Sequence, residues 1–327
     1  TLLKIMAGED KDFMGTAKNE LSGNIPFGKL SYTQADIGKS FDYEIREVVP
    51  SPAETVMTYD PMVLAFKVNV TDLGGGKLSA ELAATPNDTV FNNIYEADGE
   101  FDVDEEIGVN KVLEAGGRLL GNEEFTFELK QGDAVVESVK NALDGTVSFA
   151  NLVYDEADIG QTYSYTINEV IPAPGETGMT YDSHILSFTV TVTDAGNGVL
   201  NTAKEVTGSA TFTNTYEADG TLDIEGIINP TKVLNNRVLA DGEFSFELRL
   251  GGTLLQTVSN DAAGNILFAP ITYTQDDIGQ TYSYTITEIP GAAGDITYSG
   301  LTIAFSVLVE DAGNGVLSLT TAATAPT

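Results

Sequence analysis

The chain has 327 residues, a formal net charge of −33 and a pI of about 4.1. That balance excludes nucleic acid and anionic membrane as partners, because both would repel it. With no cysteine there is no disulfide or thiolate metal site, and no apolar run is long enough for a membrane-spanning helix.

Thr1-Leu2-Leu3-Lys4-Ile5 is not a signal peptide, so any export or anchoring signal is expected outside the chain. Leu3-Lys4-Ile5 reads as a strand, and Ser22-Gly23-Asn24 as a turn. From Asp36-Ile37-Gly38, apolar and polar residues alternate through Phe41, Tyr43 and Ile45 to Glu47, the pattern of a half-buried strand. A loop from Pro50 to Glu54, a strand from Ala65 to Thr71 and the segment Phe91-Asn92-Asn93-Ile94-Tyr95 follow. Glu96-Ala97-Asp98-Gly99 then begins an acidic linker.

The series recurs twice. Its second copy adds an opening strand, Lys111-Val112-Leu113, before Phe125-Thr126-Phe127-Glu128-Leu129. It continues through the turn Asp144-Gly145 to Asp158-Ile159-Gly160 and the strand ending in Glu169. Pro172 to Gly178, Met179-Thr180-Tyr181-Asp182, a strand at Ser187 to Thr193, and Phe212-Thr213-Asn214-Thr215-Tyr216 complete it. The third copy has Lys232-Val233-Leu234, Phe244 to Leu248, Gly264-Asn265 and Asp277 to Glu288. Asp194-Ala195-Gly196-Asn197-Gly198 and Asp311-Ala312-Gly313-Asn314-Gly315 have a superficial likeness to calcium loops but lack the late bidentate carboxylate, and read as hairpin turns.

The spacing of Glu47, Glu169 and Glu288 gives three units of about 120 residues, each able to bury its own core. Their expected bounds are 1–98, 99–219 and 220–327. No stretch keeps helical periodicity over three turns. Short strands separated by turn signals predict an all-β chain of tandem Ig-like β-sandwiches. The first unit is expected to lack its opening strand and the third, stopping at Thr327, its closing strand, as in a window cut from a longer repeat protein.

Period-two reasoning puts three polar residues on core faces. Tyr163, Tyr165, Ile167 and Glu169 share one face; Asn214 lies between Phe212 and Tyr216, as Asn93 does between Phe91 and Tyr95. Lys111 shares a face with Leu113, and Lys232 with Leu234, in a third unit that has no other lysine after it. Burial drives lysine towards the neutral amine and glutamate towards the neutral acid. A neutral amine is a nucleophile, and a protonated carboxyl polarises an amide carbonyl. Lys, Glu and Asn held together in an apolar core can therefore form a Lys–Asn isopeptide bond with loss of ammonia.

The combination Lys-Val-Leu, Phe-x-Phe-x-Leu, Asp-Ile-Gly-x-x-Tyr-x-Tyr-x-Ile-x-Glu and Phe-x-Asn-x-Tyr resembles the isopeptide-linkage domain of Gram-positive backbone pilins, among the Cna-B-like immunoglobulin folds. The resemblance implies a Lys111–Asn214 bond with Glu169 as the catalytic proton shuttle. It also implies Glu47 with Asn93 in the first unit, without the lysine, and Lys232 with Glu288 in the third, without the asparagine. The role it implies is a structural stalk of a cell-surface fibre, pilus or long adhesin, cross-linking itself once and not turning over as an enzyme. Its partners would be other repeats or subunits of the same fibre, with host or cell-surface ligands left to an unseen tip.

A ligand-binding adhesin head is the alternative, although a head usually carries a large irregular insertion and these units keep similar spacing. An extracellular hydrolase ranks behind both. No cofactor and no metal is assigned. The acidic linkers Glu96 to Glu106 and Glu217 to Glu225 admit three readings: calcium-stiffened joints, solvated surface, or strands packed on a neighbouring unit. His184, the only histidine, reads as an exposed loop residue.

Overall fold

The computed structural model describes the backbone of residues 2–7 and 12–324, with side chains from 14 to 323. The expected stop at Thr327 lies outside them. The chain divides into two compact units, Thr1–Phe101 with Leu152–Thr162 and Thr191–Ala203, and Asp102–Asn151 with Tyr163–Val190 and Lys204–Thr327. The division runs through the middle sequence repeat. Strands and short connections account for nearly all of the regular structure, and the expected β class is what the chain adopts.

In the first unit, five strands form one antiparallel sheet in the order Asp12–Lys18, Leu2–Ala7, Ser40–Glu47, Val63–Gly74, Lys77–Leu82. Leu3-Lys4-Ile5 is a strand as expected, but Leu3 lies opposite Glu47 where Phe127 lies opposite Glu169, two residues from the register that aligns Leu3-Lys4-Ile5 with Phe125-Thr126-Phe127. Tyr43 and Val68 centre a core with Phe27, Tyr32, Phe41 and Phe66. Removing such aromatic surface from water stabilises the sheet by roughly 1.5–3 kcal/mol per fully buried side chain. Asp98–Phe101 forms a strand paired with Leu152–Asp155, so the linker starts as a strand, one of the three expected readings. It stays a strand only as far as Phe101. Asp102 then accepts a hydrogen bond from Glu105 N–H and caps a helical turn, Val103–Glu106. Asp223 caps Ile224–Ile227 in the same way.

In the second unit, the strand Thr126–Gln131 pairs with Ala134–Lys140 and with the strand Thr162–Glu169, Phe127 standing opposite Glu169. The equivalent strands Ser245–Leu250 and Thr281–Glu288 set Phe246 opposite Glu288. Tyr165, Ile167 and Glu169 are buried while Ser164 is exposed, as a period of two requires. The strand Asn110–Glu114 runs parallel to Thr211–Tyr216, so the strands carrying Lys111 and Asn214 are direct neighbours. Among the described residues, no helix is long and apolar enough to cross a membrane.

Candidate functional site

Lys111 is held at its backbone before its side chain acts. Its N–H donates to Gly145 O at 2.7 Å, and Gly145 sits at φ +93° where a Cβ would come within 2.3 Å of Lys111 O. Only glycine fits there, which explains the Asp-Gly turn. Asn141, which is 1% exposed, holds the opposite wall by accepting from Phe125 N–H and donating to Gly121 O and Ala142 O. Phe125 in turn presents its ring 4.5 Å from Lys111 Nζ.

The three predicted side chains of the middle repeat meet in the core. Lys111, Glu169 and Asn214 are 1%, 5% and 0% exposed. Lys111 Nζ donates to Glu169 Oε2 at 2.7 Å, and Asn214 Nδ2 donates to Glu169 Oε1 at 2.6 Å. The Asn214 carbonyl accepts from Asp182 N–H at 2.8 Å. Phe127 and Phe212 close the site with an edge-to-face contact at 5.3 Å. Burial pulls the Lys111 ammonium below the usual lysine range, against the opposing pull of the Glu169 carboxylate. Burial thus makes the Lys111 proton easier to remove than that of an exposed lysine.

Asp182 and His184 are the residues that sequence reasoning missed. Asp182 Oδ2 accepts from Thr213 N–H at 2.8 Å, next to Asn214. Its Oδ1 accepts from His184 N–H and bonds the His184 ring at Nδ1. The far ring nitrogen, Nε2, faces Ser209 O at 2.9 Å, and the ring stacks on Phe212 at 4.2 Å. His184 is therefore a half-buried clasp on the asparagine strand and not the exposed loop residue expected. Its environment had no period to betray it. The one available signal was repetition, because Met57-Thr58-Tyr59-Asp60 matches Met179-Thr180-Tyr181-Asp182.

The other two sites are partial. In the first repeat Asn93 Nδ2 donates to Glu47 Oε1 at 2.6 Å, and Asp60 N–H holds the Asn93 carbonyl at 2.9 Å. Glu47 Oε2, the oxygen equivalent to the one that takes Lys111, is buried and has no hydrogen-bond partner among the described residues. In the third repeat Lys232 Nζ donates to Glu288 Oε1 at 2.5 Å and lies 4.1 Å from the Phe244 ring. Ser299 N–H, at the position of Asp182, donates to Glu288 Oε2. A cavity of about 200 Å³ opens beside this pair, lined by Phe246, Ile286, Leu301 and Ile303. Among the described residues, no cluster of His, Asp and Glu is arranged to hold a metal ion.

A family model for the Spy0128-like isopeptide-containing domain, FctA, matches residues 4–96, 107–217 and 228–327. The chain belongs to this family. FctA-type domains are structural, so the chain is a structural element of a pilus or adhesin stalk and not a turnover enzyme. Among solved structures it is similar to two B repeat units of the collagen-binding protein of Staphylococcus aureus. That likeness has 18% identity and a TM-score of 0.26, over 99% of this chain and 70% of that one. The major pilin from Streptococcus pyogenes matches at 15% identity and a TM-score of 0.26, over 71% and 92%. The Bacillus anthracis TIE protein matches at 12% and 0.25, over 93% and 48%. Overlaps this low carry no argument of their own. No curated protein sequence matches the chain significantly.

Proposed function

We propose that the middle repeat closes itself with an isopeptide bond between Lys111 and Asn214, and that Glu169 moves the proton that makes this possible. The observation that carries the reading is the division of one carboxylate between the two reactants. Lys111 Nζ gives a proton to Glu169 Oε2, and the neutral amine attacks Asn214 Cγ. Asp182 N–H, already on Asn214 Oδ1, stabilises the oxygen as it becomes negative. Glu169 returns that proton to Nδ2 and takes a second one from the attacking nitrogen, the Cγ–Nδ2 bond breaks, and ammonia leaves while the last proton stays on Glu169. One C–N bond replaces another, and the product is a neutral amide that is far cheaper to bury than an ion pair.

The bond joins the parallel strands Asn110–Glu114 and Thr211–Tyr216. Tension in a tandem chain enters a repeat at the first of these and leaves at the second, so the covalent tie carries the force past the sheet hydrogen bonds. This suits a stalk exposed to drag and proteases on a cell surface, attached at the wall by segments elsewhere in the fibre. The shared Glu-Ala-Asp-Gly linkers support tandem repeats in one polypeptide over subunits joined end to end. Bounds of 1–98, 99–219 and 220–327 remain our division of the repeats, with Glu47–Asn93 and Lys232–Glu288 as the corresponding half-sites. Single-molecule pulling on the chain tests the role. The middle repeat should add no unfolding step in the wild type and one full-length step in Glu169→Ala; a full-length step in both would refute it.

A further inference from the structure

A second constellation recurs outside the cross-linking sites, and it involves the turns first read as simple hairpins. Tyr216 ends the strand that carries Asn214 and is 1% exposed. Its hydroxyl donates to Asp311 Oδ1 at 2.8 Å and accepts from Gly315 N–H at 3.1 Å. Asp311 and Gly315 are the first and last residues of the third repeat's Asp-Ala-Gly-Asn-Gly turn. In the first compact unit, Tyr95 repeats this arrangement on the turn of the middle repeat. Its hydroxyl donates to Asp194 Oδ1 at 3.0 Å and accepts from Gly198 N–H at 3.0 Å.

Each turn is built to receive the hydroxyl. Asp311 Oδ1 also accepts from Gly313 N–H and Asp194 Oδ1 from Gly196 N–H, which fixes the carboxylate before any tyrosine arrives. Asp72 and Gly74 make the same turn bond in the first repeat, where no described tyrosine meets it, so the shape is inherent in the Asp-x-Gly-x-Gly sequence. The backbones around the tyrosine are pressed together. A Cβ on Gly178 would lie 2.3 Å from Glu217 O and 2.8 Å from Gly315 Cα. A Cβ on Gly220 would reach Leu317, as one on Gly99 would reach Leu200. Those contacts, with Ala97 and Ala218 both buried, explain why Glu-Ala-Asp-Gly stands unchanged in both linkers. At Tyr216 the guanidinium of Arg118 lies 4.3 Å over the ring while bonding Glu124 and Glu176.

We propose that the Asp-x-Gly-x-Gly turn of each repeat is a receptor for the terminal tyrosine of the repeat before it, and that the pair latches successive repeats into a fixed joint. The partner such a turn fits is a strand end of the form Tyr-Glu-Ala-Asp-Gly. The phenol supplies one donor and one acceptor, the small residues after it allow close backbone approach, and Phe in its place supplies neither bond. The latch lies two residues beyond Asn214, so it holds the chain where force leaves the cross-linked strand. It does not depend on the cross-link having formed.

Hydrogen exchange on the intact chain tests it with Tyr216→Phe. The joint carries amide bonds from Glu217 to Gly178 O, Asp219 to Gly315 O and Gly117 to Gln275 O, besides Gly315 to the phenol itself. If the tyrosine latches the joint, all four amides should exchange about tenfold faster together, as expected for a lost hydrogen bond to a charged group. Amides of the Thr281–Glu288 strand should be unchanged. Tyr95→Phe should do the same to Glu96, Asp98 and Gly198. Acceleration confined to Gly315 and Gly198, or none, would overturn the proposal. An intact-mass measurement on the same variants separates this outcome from failure of the Lys111–Asn214 bond.

Discussion

Glu169 stands between Lys111 and Asn214 with one carboxylate oxygen on each, at 2.7 and 2.6 Å. A carboxylate placed this way can take a proton from one reactant and, by turning its carboxyl group, give one to the other. Glu169→Gln keeps the shape and cannot carry the proton, so the tie should not form. The middle repeat then loses the closure of a loop of about 100 residues, worth on the order of 4–5 kcal/mol. Urea unfolding should show that loss as a lower midpoint for the middle repeat alone.

The first repeat should respond with the opposite sign. Glu47 has Asn93 on Oε1 and, among the described residues, nothing on the buried Oε2. An unsatisfied buried acceptor costs about 1–3 kcal/mol, more when charged. Glu47→Gln removes the charge and should leave first-repeat stability unchanged or raise it by about 1 kcal/mol. Thermal unfolding followed by exchange in the Ser40–Glu47 strand would show it, and a clear loss of stability would contradict the half-site reading.

His184 supplies a pH signal that no other histidine can obscure. Burial works against the imidazolium, but Ser209 O and the Asp182 carboxylate outweigh it and raise the pKa above 6.5. The charged form therefore stabilises the fold fully below about pH 6.5, and the contribution fades as pH rises through the higher folded value. Asp182 behaves in the reverse sense. Burial opposes its charge, the bonds from Thr213 and His184 prevail, and its contribution is lost as pH falls below the ordinary carboxylate range. The melting-temperature gap between wild type and His184→Gln should shrink from roughly pH 6 to 8. A ring-proton titration should give a midpoint above 6.5.

Asp182→Ala keeps the N–H on Asn214 Oδ1 but frees Thr213 and His184. The asparagine strand then loses its anchor and the carbonyl is held less well. Cross-linking after refolding, timed by intact mass, should slow by about tenfold and still reach completion, since misplacement by a fraction of an ångström is costly for a reaction that relies on positioning.

Most strands and the polar residues on their inner faces were legible because a period of two is written residue by residue, but Lys232-Val233-Leu234, expected as the third repeat's opening strand, forms none. Tyr165, Ile167 and Glu169 needed nothing more than alternation. The loop that orients Asn214 was not legible, since Tyr181 to His184 has no period and its side chains act on backbone groups distant in sequence. The turns at Asp194 and Asp311 were recognised as turns, but their tyrosine partners lie in the preceding repeat, where local pattern cannot reach. The linker was misread in detail: the alternation of Phe101-Asp102-Val103-Asp104 suggested a strand, whereas the strand is Asp98–Phe101 and Asp102 ends it by capping a helical turn.

The central claim is a covalent bond between Lys111 and Asn214 made by Glu169. Intact mass of the wild-type chain, followed by tryptic mapping, tests it most directly. The account predicts a deficit of one ammonia, a linked peptide joining the segments that contain Lys111 and Asn214, and loss of both in Glu169→Ala. A wild-type chain of unmodified mass, with those two peptides recovered separately, would contradict it.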